Sequence, residues 1–139
     1  MRAGEGETGG RRDGTQVSEA EARPIVLVVE DDAVTRRAAV EMIAEAGYAV
    51  REATDGNVAI RLLDEEEGVR VVVTDIDMPL GIDGIRLAAC ITRRWPRIGI
   101  VITSGKVLPI PGDVPPEALF LRKPYSEESL VAAIRSRMG

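Results

Sequence analysis

Histidine is absent from the 139 residues of this chain, and cysteine occurs once, at Cys90. A chain without histidine can build neither a Ser-His-Asp triad nor a histidine metal site, and it cannot donate a phosphoryl group from histidine. A single cysteine also excludes an internal disulfide and a metal site made of several thiolates. The groups that remain for chemistry in this chain are therefore mainly carboxylates, hydroxyls, amines and guanidinium groups.

Aromatic residues and long apolar runs are also scarce. Aromatic side chains make up 3% of the chain, and the net charge is −5, so no basic surface interleaved with aromatic residues can be expected. This composition argues against nucleic acid as a partner. No apolar run approaches the roughly 20 residues of a membrane span, and the polar N-terminus lacks the apolar segment of a signal peptide. We therefore expect a cytoplasmic protein without a membrane partner.

The remaining sequence predicts an α/β fold. Short β-branched runs alternate with stretches of helical periodicity, which favours a doubly wound parallel sheet covered by helices on both faces. In the first helix an apolar face is expected at Val34, Ala38, Met42 and Ala46. Helix N-caps are expected at Asp55, Asp83 and Ser126. The five expected strands cover about residues 25–30, 48–52, 70–75, 98–103 and 118–122.

Two segments depart from this alternation. Residues 1–23 combine glycine, glutamate and arginine with almost no apolar content, so we expect a flexible tail followed by one domain over 24–139. Prolines stand at positions 109, 111, 115 and 116, where a regular helix would otherwise be expected. Because proline disrupts a helix interior, the fourth helix should be irregular or shortened.

Polar side chains follow four of the expected strands. Glu30 and Asp31 end the first strand, Asp75 the third, Thr103 the fourth and Lys123 the fifth. The carboxyl ends of parallel strands meet at one edge of a sheet, where ligands of open α/β folds bind. We therefore expect these five side chains to converge.

Their chemistry points to phosphoryl transfer. Crowded carboxylates repel one another unless a cation joins them, and oxygen ligands without histidine or cysteine favour Mg²⁺. Lys123 adds a positive charge and Thr103 a hydroxyl, both suited to phosphoryl oxygens. An aspartate can accept a phosphoryl group as an acyl phosphate. Asp75, flanked by the other acids, is the expected nucleophile.

The same residues match a known pattern of motifs. Over about residues 25–137 the chain resembles the receiver domain of bacterial two-component response regulators. The resemblance implies a flavodoxin-like sheet with strand order 2-1-3-4-5 and a histidine kinase or histidine phosphotransfer protein as phosphodonor. The motifs that carry it are Val28-Val29-Glu30-Asp31, Asp75-Ile76-Asp77-Met78-Pro79, Asp83-Gly84, Thr103-Ser104-Gly105 and Lys123-Pro124-Tyr125.

The resemblance also implies a role for each acidic residue. Asp75 would be the phosphoacceptor and a metal ligand, and Asp31 would contact Mg²⁺ directly. Glu30 would act through a bound water, and Asp77 would offer its backbone carbonyl to the metal.

The remaining motif residues would handle the phosphoryl group. Thr103 would be the switch hydroxyl that turns towards it, and Lys123 would pair with a phosphoryl oxygen. The peptide bond before Pro124 would be cis, as in the family.

Departures from the family pattern concern the output surface. The stretch from Met78 to Gly84 holds one residue more than the usual motif, and Phe120 stands where the family often has tyrosine. Together with the prolines, these differences predict that the surface that reports phosphorylation is unlike the usual one. It would contact a protein target that the sequence does not identify. We expect a monomer or a weak homodimer.

Two other functions are compatible with parts of the sequence. Asp75-Ile76-Asp77 also matches the opening motif of haloacid-dehalogenase-type phosphatases, although it follows the third strand here and not the first. A receiver fold could also serve as an unphosphorylated scaffold, but the full acidic set argues against that. We expect a non-enzyme that catalyses only its own phosphorylation and slow dephosphorylation. It could stand alone or be excised from a larger protein.

Overall fold

The computed structural model describes residues 23–78, 82–105 and 114–139. Within these ranges, strands and helices alternate until the fourth strand, as the sequence pattern predicts. The strands are β1 (Ile25–Val29), β2 (Ala49–Ala53), β3 (Val69–Asp75), β4 (Gly99–Ser104) and β5 (Leu119–Arg122). The helices are α1 (Ala33–Glu45), α2 (Gly56–Glu65), α3 (Gly84–Arg94) and α4 (Glu127–Arg137).

The five strands form one parallel sheet in the order β2-β1-β3-β4-β5. This arrangement confirms the expected order 2-1-3-4-5 and makes β1 and β3 neighbours. The register pairs Val29 with Thr74, and Asp75 with Thr103 on β4. The residues that follow β1 therefore lie beside the end of β3, at the edge where the acidic cluster was expected.

The core has two layers because alternate side chains of a strand point to opposite faces of the sheet. Leu27 and Val72 pack on one face with residues of α2 and α3, such as Leu63 and Leu87. On the other face, Val28 and Val73 pack with residues of α1 and α4, such as Ile43 and Leu130. Burying a side chain of this size stabilises the fold by about 1.5–3 kcal/mol.

Helix starts follow the expected local chemistry. The side chains of Asp55, Asp83 and Ser126 accept hydrogen bonds from the backbone amides of Val58, Arg86 and Ser129, so all three predicted N-caps are confirmed. Asp32 caps α1 in the same way, through the Thr35 amide. These caps fix where each helix begins relative to the strand that precedes it.

The predicted apolar face of α1 is wrong at three of its four positions; the fourth, Met42, is partly buried and packs against the core. Val34 is 79% exposed, and Ala38 and Ala46 are also exposed, whereas Ala39 and Ile43 are buried. The buried stripe is rotated by about one residue because Ala39 and Ile43 pack against the sheet and α4.

Three expectations fall wholly or mainly outside the described residues. They are the flexible tail, the loop residues 79–81 and the irregular fourth helix, since 106–113 are not described. The described residues between 114 and 118 form a turn, in which the Ala118 amide donates to the Pro115 carbonyl at 3.0 Å. The helices of the described ranges are all too short or too polar to span a lipid bilayer.

Candidate functional site

The site lies at the carboxyl edge of the sheet and takes one or two side chains from each of four strand ends. Asp75 is the last residue of β3, and the register places Thr103 of β4 directly beside it. Glu30 follows β1 and is held by its backbone amide, which donates to the Ala53 carbonyl at 3.1 Å. Lys123 follows β5, and its amide donates to the Ser104 carbonyl at 2.9 Å. Main-chain hydrogen bonds of the sheet therefore place these residues.

Three carboxylates converge at this edge. Glu30, Asp31 and Asp75 each offer an oxygen, and these oxygens all lie within 4.8 Å of one another. Glu30 and Asp75 are buried, whereas Asp31 is exposed. The structure thus brings together the acids that the sequence placed at two separate strand ends, with one open side towards solvent.

Lys123 bridges the two buried acids. Its Nζ lies 2.8 Å from Oε1 of Glu30 and 3.3 Å from Oδ1 of Asp75. The side chain of Lys123 is 22% exposed, so it is only partly shielded from solvent. One positive charge thus faces three negative ones, and the cluster retains a net negative charge.

Burial alters the acid–base properties of the cluster. Desolvation raises the pKa of Asp75 above its ordinary value, although the charge of Lys123 and its hydrogen bond oppose the rise. Burial likewise raises the pKa of Glu30, against the hydrogen bond from Lys123. For Lys123, burial lowers the pKa, but the hydrogen bond to Glu30 and the charge of Asp75 outweigh it and raise the pKa. The two buried carboxylates are thus incompletely compensated by the lysine.

The remaining predicted site residues lie around this cluster. Asp77 is exposed, and its backbone forms a hydrogen bond with the Asp75 carboxylate. Thr103 is buried, and its hydroxyl lies 3.5 Å from the Thr74 carbonyl, so in this conformation it points along the sheet. The peptide bond between Lys123 and Pro124 is cis, as the family resemblance implied.

Two neighbours of the cluster were given no role by reasoning from sequence, although Tyr125 stands in one of the motifs that carry the family resemblance. The guanidinium of Arg36 donates to the backbone carbonyl of Glu30 at 2.8 Å. The phenol of Tyr125 is partly buried near the cluster, and burial raises its pKa. The position of Arg36 one turn into the helix after Glu30-Asp31 lets a long side chain reach back to the strand end, but it does not indicate which groups that side chain would contact.

The donor set fits a hard divalent cation. The three carboxylates present only oxygen atoms, burial raises the pKa of Glu30 and Asp75, and Lys123 is the one cationic side chain paired with them among the described residues. Mg²⁺ is bound in proteins by one or two carboxylates together with water and phosphate oxygens. The described residues therefore suit Mg²⁺ at the exposed side of the cluster.

Comparison with known proteins identifies the family. Residues 26–135 match the family model of the response regulator receiver domain. The chain belongs to this family. The match covers most of the chain and includes every strand and helix described above except the first residue of β1 and the last two of α4.

Individual relatives agree with the family match. The chain is 34% identical over 116 residues to the response regulator receiver protein CpdR of Brucella abortus, covering 81% of this chain and 95% of CpdR. It is 32% identical over 117 residues to the sensor kinase CckA of the same organism, covering 81% of this chain but only 12% of that kinase. The crystal structure of a response regulator receiver protein from Sinorhizobium medicae superposes with a TM-score of 0.79 at 25% identity, covering 84% of this chain and 95% of that one.

This receiver domain is a phosphoacceptor of two-component signalling, with the flavodoxin-like fold of its family. Receiver domains are in general signalling modules that work with histidine kinases, and they bind Mg²⁺ at an acidic pocket such as the one formed here. Neither the fold nor the site favours the phosphatase or the unphosphorylated scaffold.

Proposed function

We propose that this domain accepts a phosphoryl group on Asp75 in a Mg²⁺-dependent phosphorelay and signals by contact with another protein. The observation that supports this assignment best is the convergence of Glu30, Asp31 and Asp75 with Lys123 at one sheet edge. Asp75 is the last residue of β3, the middle strand of the five, where it lies beside Thr103 of β4 and 3.3 Å from Nζ of Lys123. It is therefore the acid best placed to act as nucleophile.

The transfer step follows from these positions. An Asp75 carboxylate oxygen attacks phosphorus, a new phosphorus–oxygen bond forms, and the bond from phosphorus to the donor's imidazole nitrogen breaks. Negative charge then remains on the phosphoryl oxygens beside Asp75. Lys123, whose Nζ already lies 3.3 Å from Oδ1, would pair with one of them. Thr103, the strand neighbour of Asp75, would turn its hydroxyl from the Thr74 carbonyl towards another.

The metal would be held by the acids at the exposed side of the cluster. We assign Asp31 and Asp75 as direct ligands, Glu30 as a ligand through water, and Asp77 as a ligand through its backbone carbonyl. When bound, Mg²⁺ would neutralise charge on the carboxylates and on the transferred group. The Asp32 amide donates to Oε2 of Glu30 at 3.1 Å and Lys123 donates to Oε1 at 2.8 Å, so both oxygens of this carboxylate are held in place.

The wider biological setting is part of the same proposal. We assign residues 24–139 to the receiver domain and residues 1–23 to a tail. The phosphodonor would be a histidine kinase or a histidine phosphotransfer protein in the cytoplasm. The domain would act as a monomer or weak homodimer, without enzymatic turnover beyond its own phosphorylation and slow dephosphorylation.

Phosphorylation by a small phosphodonor tests the proposal. Incubating the protein with acetyl phosphate and Mg²⁺ should add one phosphoryl group per chain, detected by intact-protein mass spectrometry. Chelation of the metal with EDTA should prevent the addition. Continuous release of phosphate from a phosphate ester with Mg²⁺ would instead favour the phosphatase. Absence of labelling by acetyl phosphate and by a cognate kinase would favour the scaffold.

A Lys123→Ala variant should separate metal binding from phosphoryl transfer. Removing the ammonium leaves the charge on the phosphoryl oxygens uncompensated, so phosphorylation should slow by on the order of 100-fold. Mg²⁺ affinity should stay the same or rise, because a competing cation is lost. Arg122→Ala, which removes an exposed positive charge from the preceding residue, is the matched control and should behave as wild type. Weaker Mg²⁺ binding by Lys123→Ala would contradict the assigned role.

A further inference from the structure

Arg36 connects three segments around the acidic cluster. Its NH1 group donates to the backbone carbonyl of Glu30 at 2.8 Å, and its Nε donates to Oε1 of Glu52 at 3.0 Å. The residue lies in the first turn of α1, whereas Glu52 lies near the end of β2. The Arg36 side chain is only 18% exposed, so these two contacts are partly shielded from water.

The carbonyl that Arg36 holds belongs to the peptide bond leading into Asp31. The other polar groups of Glu30 are also engaged: its amide by Ala53, and its carboxylate by Lys123 and the Asp32 amide. Within residues 23–78, 82–105 and 114–139, the Asp31 side chain has no hydrogen bond or ion pair of its own. The position of its carboxylate therefore depends on the backbone on either side, which Arg36 fixes at Glu30 and the helix cap fixes at Asp32.

From this geometry we propose that Arg36 is a positioning residue for the metal site, acting through the peptide bond between Glu30 and Asp31. The inference rests on the proposed function, because it concerns the cation that this function requires. A guanidinium suits the task because it can donate to two acceptors in fixed directions at once. Lysine carries the same charge but lacks this rigid, planar pair of donors.

A purely electrostatic role for Arg36 would have the opposite effect on Mg²⁺ affinity from a positioning role. A positive charge beside an acidic cluster repels a metal cation, so removing it should strengthen Mg²⁺ binding. The ion pair with Glu52 reduces that repulsion without removing the geometric constraint. The sign of the change in Mg²⁺ affinity therefore distinguishes a positioning role from a purely electrostatic one.

The test is a Mg²⁺ titration of the full chain, followed through the backbone amide signals in two-dimensional NMR spectra. Arg36→Ala should bind Mg²⁺ about 10-fold more weakly than wild type, as when an outer hydrogen-bond partner of a metal ligand is lost. Its slower labelling by acetyl phosphate should be restored at saturating Mg²⁺, unlike that of Lys123→Ala. Glu52→Gln keeps an acceptor oxygen for Arg36 and should stay close to wild-type affinity.

Arg37→Ala is the matched control. Arg37 follows Arg36 on the same helix, carries the same charge and, within the described part of the chain, forms only an exposed pair with Glu41. Its loss should leave Mg²⁺ affinity unchanged or slightly higher. Wild-type or tighter binding by Arg36→Ala would overturn the inference. If that variant does not fold, Arg36→Lys takes its place, and wild-type affinity there would equally overturn it. Failure of the wild type itself to bind Mg²⁺ would contradict the proposed function instead.

Discussion

Replacing Asp75 by asparagine is expected to abolish phosphorylation and, in the absence of metal, to raise the free energy of unfolding. The first effect follows because an amide is not a nucleophile for phosphoryl transfer. The second follows because Asp75 is buried beside Glu30, where its charge is incompletely compensated by Lys123. We expect a gain on the order of 1 kcal/mol, measured by urea unfolding in EDTA.

The gain should depend on pH in a defined direction. Burial raises the pKa of Asp75 above its ordinary value of 3.8, so the folded protein binds this proton more tightly than the unfolded chain does. The stability that Asp75 contributes is complete below pH 3.8 and is lost as the pH rises through the higher folded-state pKa. The advantage of Asp75→Asn should therefore be large at neutral pH and shrink as the solution is acidified.

Asp64→Asn provides the control for this comparison. Asp64 is exposed on α2 and forms a surface ion pair with Arg94, which contributes little to stability. The variant should keep both the phosphoryl label and nearly the wild-type stability. A loss of stability in Asp75→Asn at neutral pH would show that its carboxylate is well compensated in the fold, contrary to our account.

Gly84→Ala should have the largest effect on the fold among glycine substitutions near the site. A Cβ at Gly84 would clash with the Asp75 carbonyl oxygen and lie 2.8 Å from Cα of Ile76, both backbone atoms that cannot move independently of β3. Helix propensity alone would predict a gain of up to about 1 kcal/mol from alanine. We expect instead a loss of about 3 kcal/mol, together with slower phosphorylation because the end of β3 carries Asp75.

Gly105→Ala is the comparison for Gly84→Ala. Among the described residues its Cβ would meet only side-chain atoms of Lys123, at 3.7 and 3.9 Å, which are ordinary contact distances. Thermal or urea unfolding should give nearly wild-type stability for this variant. Equal stability of the two variants would mean that the close packing of α3 on β3 is not a constraint.

Local sequence signals predicted the elements and the edge at which the site forms. The β-branched run that ends in Asp75 became the central strand β3, and Asp55 caps α2 as expected. Both features depend on residues within a few positions of each other. Because parallel strands share one carboxyl edge, the placement of Glu30 beside Asp75 also followed once the strands were identified.

Features that depend on tertiary packing were harder to predict from the sequence. In α1, one stripe begins at Val34, and another contains Ala39 and Ile43; both have helical spacing and apolar character. Only contact with the sheet and α4 decides that the second stripe is buried. Periodicity alone could not distinguish the two stripes.

The role of Arg36 could not be predicted from the sequence, for a different reason. One of its acceptors is a main-chain carbonyl, which every residue possesses, and the other, Glu52, lies on a neighbouring strand. No side-chain pattern in the sequence marks such a contact. It becomes visible only when β1, β2 and the first turn of α1 are placed together.

Locating the phosphoryl group tests the central claim most directly. An aspartyl phosphate is an acyl phosphate, which borohydride reduces to the alcohol homoserine, and peptide mass spectrometry can then identify the modified position. After treatment with acetyl phosphate and Mg²⁺, we predict homoserine at position 75 and unmodified aspartate at positions 31 and 77. Homoserine at either of those positions, or phosphorylated protein with an intact Asp75, would contradict the account.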